Sequence, residues 1–368
     1  MAESNNKKAT KRKKTISELK SENIKVESIM NSMINGIIAL DSNYSISLMN
    51  TKAYELFGIN QSDKLIGKNI IEVIRNVQIN KLIRKTIKDN VPQINEVFIG
   101  APHNITLSVY TSPIKSNSKS KNNIGGIIFL HDITDIKKLE KIRSEFVSNV
   151  THELKTPLTS IKGFIETLRN GAIENKSVAN KFLEIIDIES ERLYTLINDI
   201  LQLSEIETIK SEIETTNCNL NTIVENVISV LAGTASKKKI KIIYDSKEEN
   251  TNILVNKDRI KQMLINLVDN AIKYNSENGK IIISTKIDSG KVILSIKDTG
   301  IGIPVEHQNR IFERFYRVDK GRSRNAGGTG LGLSIVKHII NLYNGDIKVL
   351  SESNKGSEFI IQLPLYSP

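Results

Sequence analysis

The longest regular pattern in the chain is helical and runs from Leu139 to about Glu207, with a break at 170–177. Apolar residues recur there at spacings of three and four, as on one face of an α-helix. They are Leu139, Ile142, Phe146, Val150, Leu154, Leu158, Ile161, Ile165 and Leu168, then Val178, Phe182, Ile186, Leu193, Leu196, Ile200 and Leu203. The pattern predicts two long antiparallel helices. Because such a hairpin cannot bury both stripes alone, we expect two chains to form a four-helix bundle, and therefore a homodimer.

One stretch of the first helix, FVSNVTHELKTPLTSIKGF at 146–164, holds a histidine and an interior proline. His152 lies about 200° around the helix from the stripe positions on either side of it, so it faces away from the stripe. Pro157 removes the hydrogen bond to the carbonyl of Glu153, at a cost of about 3 kcal/mol. The stretch therefore predicts an exposed histidine beside a helix bend. Thr156 follows His152 by one turn and shares its face.

The segments on either side of the helical pair indicate two different modules. GIIALDSNYSISLMN at 36–50 predicts a β-hairpin around an Asp-Ser-Asn turn, and helical segments follow to residue 90. Strand patterns return in HNITLSVYTSPIK and GGIIFLHDIT. This order over about 110 residues is typical of a small α+β sensor module. After residue 215 the order of helices and strands predicts an α/β sandwich.

The predicted helix KDRIKQMLINLVDNAIKYN carries a polar face beside its apolar one. Asn266, Asn270 and Lys273 lie on this polar face at positions i, i+4 and i+7. The side-chain oxygen of Asn270 suits Mg²⁺, whose octahedron nucleotide phosphates and waters would complete. Lys273 is a point charge suited to phosphate. The sequence leaves two alternatives open for Tyr274: packing near a nucleotide, or an ordinary place in the protein core.

Two glycine-rich motifs follow this helix. DTGIGIP at 298–304 comes after a strand whose alternation puts Asp298 on the apolar face, where its carboxylate needs a hydrogen-bond donor such as the adenine amino group. Gly300 and Gly302 would let the backbone approach a flat ring closely. GGTGLGLSIVKHII at 327–340 runs from a glycine-rich loop into a helix, whose free N–H groups and dipole form a phosphate cradle. The order of these motifs predicts nucleotide binding.

Composition bears on other functional classes. No apolar run reaches the roughly 18 residues of a membrane span, and no signal peptide opens the chain. The single cysteine, Cys218, can form neither an intrachain disulfide nor a zinc site. We therefore expect a cytoplasmic protein, although membrane association or origin from a longer membrane protein stays open. Part of the net charge of +11 lies in a basic segment at 7–14, but no recognition motif accompanies it and we expect no nucleic-acid partner.

Together these motifs resemble those of the sensor histidine kinases of two-component systems. THELKTPL looks like the phosphoacceptor H box, NLVDNAIKY like the N box, IFERFYRVD like the F box, and DTGIGIP and GGTGLGL like the two glycine boxes. The chain is similar to the phosphate- and cell-wall-sensing class of Gram-positive bacteria. The resemblance implies a basic, disordered leader at 1–24, a PAS sensor domain at 25–137, dimerisation and histidine phosphotransfer helices at 138–208, and a GHKL-type ATP-binding domain at 209–368.

The resemblance also implies roles for individual residues. His152 would accept the γ-phosphoryl group of ATP and pass it to an aspartate of a response regulator, Glu153 would act as acid and base, and Thr156 would position water for dephosphorylation. Since neighbours at i and i+1 do not face each other on a helix, the role of Glu153 rests on the resemblance. Residues implied in ATP binding are Asn266, Asn270, Lys273, Tyr274, Asp298, Gly300, Gly302, Gly328, Thr329, Gly330, Leu331 and Gly332, with Mg²⁺ on Asn270.

Two other functions share part of this pattern with a kinase. A GHKL-type ATPase or ATP-driven clamp has a similar pocket, but such enzymes place a glutamate base where this chain has Asn266. A degenerate scaffold would not need intact histidine, asparagine and glycine motifs. The sensor ligand is open: without a cysteine the module cannot form a cysteinyl-flavin, and His103 and His131 are candidate haem ligands, although His131 also fits a strand end.

Overall fold

The computed structural model describes residues 21–22, 24–26, 28–115, 123–208, 214–246, 248–319 and 328–366. The chain divides into two compact units, 1–145 and 146–368. Residues 1–20 of the predicted basic leader lie outside the described ranges. Among the described helices, none combines the length and the apolar composition that crossing a membrane requires.

The first unit is built on a five-stranded antiparallel sheet with the strand order β2-β1-β5-β4-β3. The predicted hairpin is confirmed, since the first two strands pair antiparallel. Helix α3 packs against the last three strands, and α1 packs against β1. The elements are β1 (Gly36–Asp41), β2 (Ile46–Met49), α1 (Thr51–Phe57), α2 (Ile70–Val73), α3 (Val77–Asp89), β3 (Gln93–Ile99), β4 (Ile105–Lys115) and β5 (Asn123–Asp132).

Strand β3 was not predicted from the sequence. It lies at the edge of the sheet, and Val97 is its one buried residue. Ile94 and Phe98 are exposed on this strand, so its apolar residues do not alternate cleanly with polar ones. Antiparallel pairing with β4 from Gln93 to Ile99 makes this segment a strand, although its side-chain pattern does not indicate one.

The two predicted long helices are present as α4 (Thr134–Arg169) and α5 (Lys176–Thr208), with a short 3₁₀ turn between them. Helix α4 begins earlier than the apolar pattern indicated, where the Asp132 carboxylate accepts the N–H of Thr134 at 2.9 Å. The helix continues through Pro157, whose side chain is buried. The rings of Phe164 and Phe182 pack between the two helices in a tilted arrangement, with centroids 5.0 Å apart.

The apolar stripes of these helices are divided between two environments. On α4, Leu139 and Leu158 remain 67% and 57% exposed in the single chain. On α5, Leu196 and Leu203 are instead buried in the core of the second unit. The expectation that both apolar stripes pack only within a four-helix bundle is therefore wrong for Leu196 and Leu203. A helix about 10–12 Å across can present apolar side chains to neighbours on two of its sides.

The second unit carries the predicted α/β sandwich. Its five-stranded sheet has the order β11-β12-β10-β9-β7, in which β7 and β9 are parallel and the other pairs antiparallel. The short sheet β6–β8 was not predicted. The remaining elements are β6 (Thr216–Asn219), α6 (Leu220–Lys237), β7 (Lys241–Ser246), β8 (Asn252–Val255), α7 (Lys257–Lys273), β9 (Lys280–Asp288), β10 (Lys291–Asp298), α8 (Val305–Gln308), α9 (Gly332–Leu342), β11 (Asp346–Glu352) and β12 (Gly356–Pro364).

Candidate nucleotide and phosphoacceptor site

The second unit contains a cavity of about 620 Å³. Its wall includes the polar face of α7, the end of β10, the segment at 316–319, the glycine-rich loop before α9, and two residues of α5. The predicted site residues that line it are Asn266, Asn270, Lys273, Tyr274, Asp298, Gly302, Gly328, Thr329, Gly330 and Gly332. A cavity of this size and mixed polarity suits a nucleotide-sized ligand.

Two predicted residues do not line the cavity. Leu331 is fully buried in the apolar core and is the N-cap residue that precedes α9. Gly300 lies behind the wall, where an added Cβ would come within 2.4 Å of the Tyr274 carbonyl oxygen and 2.9 Å of a carboxylate oxygen of Asp298. The absence of a side chain at Gly300 thus lets this loop pack against Tyr274 and Asp298.

Asp298 ends strand β10 with its side chain on the buried side, as the alternation predicted. It is only 7% exposed, and its Oδ1 atom accepts the backbone N–H groups of Gly300 at 2.8 Å and Ser357 at 3.4 Å. Burial raises the pKa of Asp298 above its ordinary value, and the two N–H donors partly oppose this shift. Since both bonds use Oδ1, the second carboxylate oxygen can accept a ligand N–H.

Helix α7 supplies the polar side of the cavity. Asn256 caps its first turn by accepting the N–H groups of Asp258 and Arg259. Further along, the Asn266 amide donates to the Gly332 carbonyl at 3.3 Å, which joins α7 to the start of α9. Lys273 pairs with Asp269 one turn earlier, with Nζ and Oδ2 2.8 Å apart.

The glycine-rich loop turns sharply before α9. Gly330 has a φ of +75°, and an added Cβ would lie 2.9 Å from the backbone of Phe315. Helix α9 has no side-chain cap at its N-terminus, so its first N–H groups are available to an acceptor from the cavity. These donors and the positive end of the helix dipole are the groups that the predicted phosphate cradle requires.

His152 lies on the exposed side of α4, as its helical position predicted. The hydroxyl of Thr156, on the same face, donates to the His152 carbonyl at 3.0 Å. Glu153 points instead toward two arginines: its Oε2 lies 3.4 Å from Arg192 of α5 and 3.7 Å from Arg317 of the cavity wall. The residue next to His152 therefore contacts the nucleotide cavity wall directly.

Further contacts join the helical pair to the rest of this unit. The rings of Phe146 and Phe315 have centroids 5.8 Å apart, and Arg259 pairs with Glu205 at 3.1 Å. The hydroxyl of Thr329 donates to a carboxylate oxygen of Asp199 at 2.6 Å. Sequence reasoning did not assign a site role to Asp199 or Arg317. In the sequence, Asp199 is an acidic residue beside the apolar stripe of α5, and Arg317 is an arginine within the F box. Neither position indicates a contact with the cavity.

The candidate ligands for a metal ion are few. Among the described residues, no group of three or more His, Cys, Asp and Glu side chains could hold a metal ion. A cation in the cavity would therefore need oxygens from a nucleotide beside Asn270, which lines the cavity from α7.

In the first unit, His131 lies near the end of strand β5. Its Nδ1 atom lies 2.7 Å from the side-chain oxygen of Asn35.

Three segments of the chain match known protein families. Residues 25–133 match the PAS fold, 142–209 the His Kinase A (phospho-acceptor) domain, and 255–367 the histidine kinase-, DNA gyrase B- and HSP90-like ATPase. A solved structure, histidine kinase ThkA in complex with the response regulator protein TrrA, is 29% identical with a TM-score of 0.51, covering 92% of this chain and 98% of that chain.

Curated relatives cover nearly the whole chain. The sensor histidine kinase WalK of Bacillus subtilis is 33% identical over 92% of this chain, which spans 55% of that relative's length. The sensor protein kinase WalK of Staphylococcus aureus is 34% identical over 94% of this chain, which spans 81% of that sequence. The cavity, the exposed histidine and these relatives lead to one conclusion: the chain belongs to the sensor histidine kinases of two-component systems.

Proposed function

We propose that this protein is a protein-histidine kinase that phosphorylates His152 with ATP and then transfers the phosphoryl group to an aspartate of a response regulator. The observation that carries the proposal is the contact of Glu153 with Arg317, which joins the helical turn of His152 to the wall of the nucleotide cavity. In the reaction a ring nitrogen of His152 attacks the γ-phosphorus, the bond to the β–γ bridging oxygen breaks, and ADP leaves.

Residues that line the cavity are candidates for binding each part of ATP. The free carboxylate oxygen of Asp298 would accept the adenine amino group, and Lys273 with the loop at Gly328–Gly332 would bind the phosphates. Asn270 is the proposed protein ligand of Mg²⁺, which would neutralise charge on the phosphates. Tyr274 would border the nucleotide, because its hydroxyl lies 3.4 Å from the Cβ position of Gly328.

Glu153 and Thr156 are proposed to act on the phosphoacceptor side. The carboxylate of Glu153 contacts Arg192 of α5 and Arg317 of the cavity wall, which brings it to the side of the helix that faces the cavity. Helical spacing turns this side chain away from His152, so its proposed acid–base role depends on its position toward the cavity wall. Thr156 would position water for dephosphorylation from its place one turn after the histidine.

The helices at 138–208 are proposed to form a homodimer. Large apolar side chains stay exposed along both of them in the single chain, and a second copy would cover them as a four-helix bundle. They are Leu139, Ile142, Val147, Leu158, Ile165, Leu183, Ile188, Ile197 and Leu201. ThkA is solved with a response regulator, which supports a partner of that kind here. Because ATP is the donor, we propose a cytoplasmic location for the reaction.

The PAS module at 25–137 is proposed as the sensor and 209–368 as the catalytic domain. A GHKL-type ATPase is the competing function, and the position of Asn266 disfavours it. The amide of Asn266 donates to the Gly332 carbonyl, and an amide cannot serve as the base that activates water. The nucleophile must then come from elsewhere, and His152 is an exposed candidate on the adjoining helix.

Incubation of the protein with Mg²⁺ and γ-labelled ATP tests this proposal. We expect an acid-labile, alkali-stable label that is lost in His152→Ala and Asn270→Ala and retained in the control His103→Ala. Label that persists in His152→Ala would refute phosphorylation of this residue. Phosphate release without labelled protein would support the ATPase instead. Mixing His152→Ala with Asn270→Ala restores labelling only if transfer crosses between the two chains of a dimer.

A further inference from the structure

Helix α5 places an acidic side chain inside the nucleotide cavity. Asp199 and Thr195, one turn apart, are the two residues of this helix that line the cavity. The carboxylate of Asp199 accepts the hydroxyl of Thr329 at 2.6 Å, and Thr329 belongs to the glycine-rich loop proposed to bind phosphate. The contact joins residues 130 positions apart and brings the helical pair into the phosphate end of the site.

The chemistry of this carboxylate resembles that of the ligand the loop would bind. A carboxylate and a phosphate are both oxygen anions that accept hydrogen bonds from hydroxyl and N–H donors. Burial raises the pKa of Asp199, and the Thr329 hydroxyl and the charge of Lys273 oppose that shift. Thr329 and Lys273, which favour the charged form of Asp199, are thus the same residues that are proposed to bind the nucleotide phosphates.

The presence of two anions at one cradle is unfavourable. A polyphosphate beside Asp199 would be repelled at short range in a partly buried site, where charges interact more strongly than in water. The Thr329 hydroxyl would also be unavailable to the polyphosphate, because it already donates a hydrogen bond to Asp199. Two other contacts between the helices and the rest of the unit, Phe146 with Phe315 and Glu205 with Arg259, involve no residue that lines the cavity. They can persist while the contact at Asp199 breaks.

We propose that Asp199 competes with the phosphates of ATP for the cradle at Thr329, and so lowers the affinity of the site for nucleotide while the helices are docked. ATP then enters by displacing the Asp199 side chain from Thr329, which links filling of the site to loss of this one contact between α5 and the loop. The inference rests on the proposed function, in that it takes the cavity as the ATP site. The opposite assignment, in which Asp199 holds the nucleotide through Mg²⁺, predicts the reverse effect of removing its charge.

Calorimetric titration of the full chain with Mg²⁺ and a non-hydrolysable ATP analogue tests the competition. Asp199→Asn keeps the shape of the side chain and removes its charge, and Asp199→Ala removes both. Asp187→Asn is the matched control, because it makes the same charge change at an exposed position of the same helix. We expect both Asp199 variants to bind the analogue about threefold to tenfold more tightly and the control to bind as the parent does.

Adenosine, which has no phosphates, is the second probe. Its affinity should be equal in the parent and in both Asp199 variants, which also shows that the variants are folded. Unchanged or weaker binding of the analogue in Asp199→Asn overturns the inference, and weaker binding assigns Asp199 to holding the nucleotide. Failure of the parent to bind either probe would instead overturn the proposed function, so the two failures are distinguishable.

Discussion

Substitution of Gly302 by alanine tests how closely the backbone packs beside the nucleotide cavity. Gly302 has a φ of +67°, in the left-handed region. A Cβ added there would lie 2.0 Å from the carbonyl oxygen and 2.7 Å from the carbonyl carbon of Glu352. Because these neighbours are backbone atoms, no side-chain rotation can relieve the contact. Gly290, in the turn between β9 and β10, is the matched control: its φ is +75°, and nothing lies within 4 Å of its Cβ position.

Both substitutions place an L-residue in the left-handed backbone region, and only Gly302→Ala also brings a Cβ against backbone atoms. An L-residue in the left-handed region costs about 1–2 kcal/mol, and this applies at both positions. The clash at Gly302 forces a backbone shift in a packed region, which costs about 1–3 kcal/mol more. We therefore expect the free energy of unfolding to fall by about 2–5 kcal/mol in Gly302→Ala and by about 1–2 kcal/mol in Gly290→Ala.

Urea denaturation followed by circular dichroism measures both effects, and analogue binding shows the functional consequence. Gly302 lines the cavity, so its variant should also bind nucleotide more weakly, whereas Gly290→Ala should bind as the parent does. Equal shifts of the urea midpoint in the two variants, at unchanged m-values, would refute the close approach of Gly302 to Glu352.

Three further substitutions test other parts of the second unit. Gly233→Ala, at an exposed position of α6 with nothing within 4 Å of the Cβ position, should raise the free energy of unfolding by about 0.5–1 kcal/mol in urea titrations. Leu203→Ala should lower it by about 2–5 kcal/mol, because this side chain is 1% exposed within the core that joins α5 to the ATP-binding elements; a loss well below that range would contradict the burial. Asp298→Asn keeps an acceptor for Gly300 and Ser357 but presents an NH₂ group to adenine, so calorimetry should show about a hundredfold or greater loss of nucleotide affinity. The raised pKa of Asp298 means that the folded state holds its proton more tightly than the unfolded state. The resulting stabilisation is present below the unfolded pKa of about 3.9 and is lost as pH rises through the folded pKa, so Asp298→Asn should melt at or above the parent temperature at pH 7. A lower melting temperature at pH 7 would contradict this sign. Nucleotide affinity of the parent should change in the other direction, falling as pH is lowered through that raised pKa.

Elements with strong local signals were predictable from the sequence. The hairpin of β9 and β10 turns on Ser289 and Gly290, both at positive φ, and strands of alternating residues flank it. Helix α7 begins after a capping asparagine, Asn256, and keeps one apolar face. Short or edge strands such as β3, β6 and β8 were missed, because pairing with a neighbour supports them more than their own side-chain pattern does.

The sequence by itself determined, except for Gly300 and Leu331, which residues of α7, of the end of β10 and the loop after it, and of the glycine-rich loop line the cavity, and it determined the outward position of His152. Each follows from a helical or strand period, or from a backbone conformation that favours glycine, and these are local properties. Only the tertiary structure decided that Asp199 meets Thr329 and that Glu153 faces Arg317. Those contacts depend on how the helical pair packs against the rest of its unit. Residues far apart in the chain meet there, and no local spacing encodes their distance.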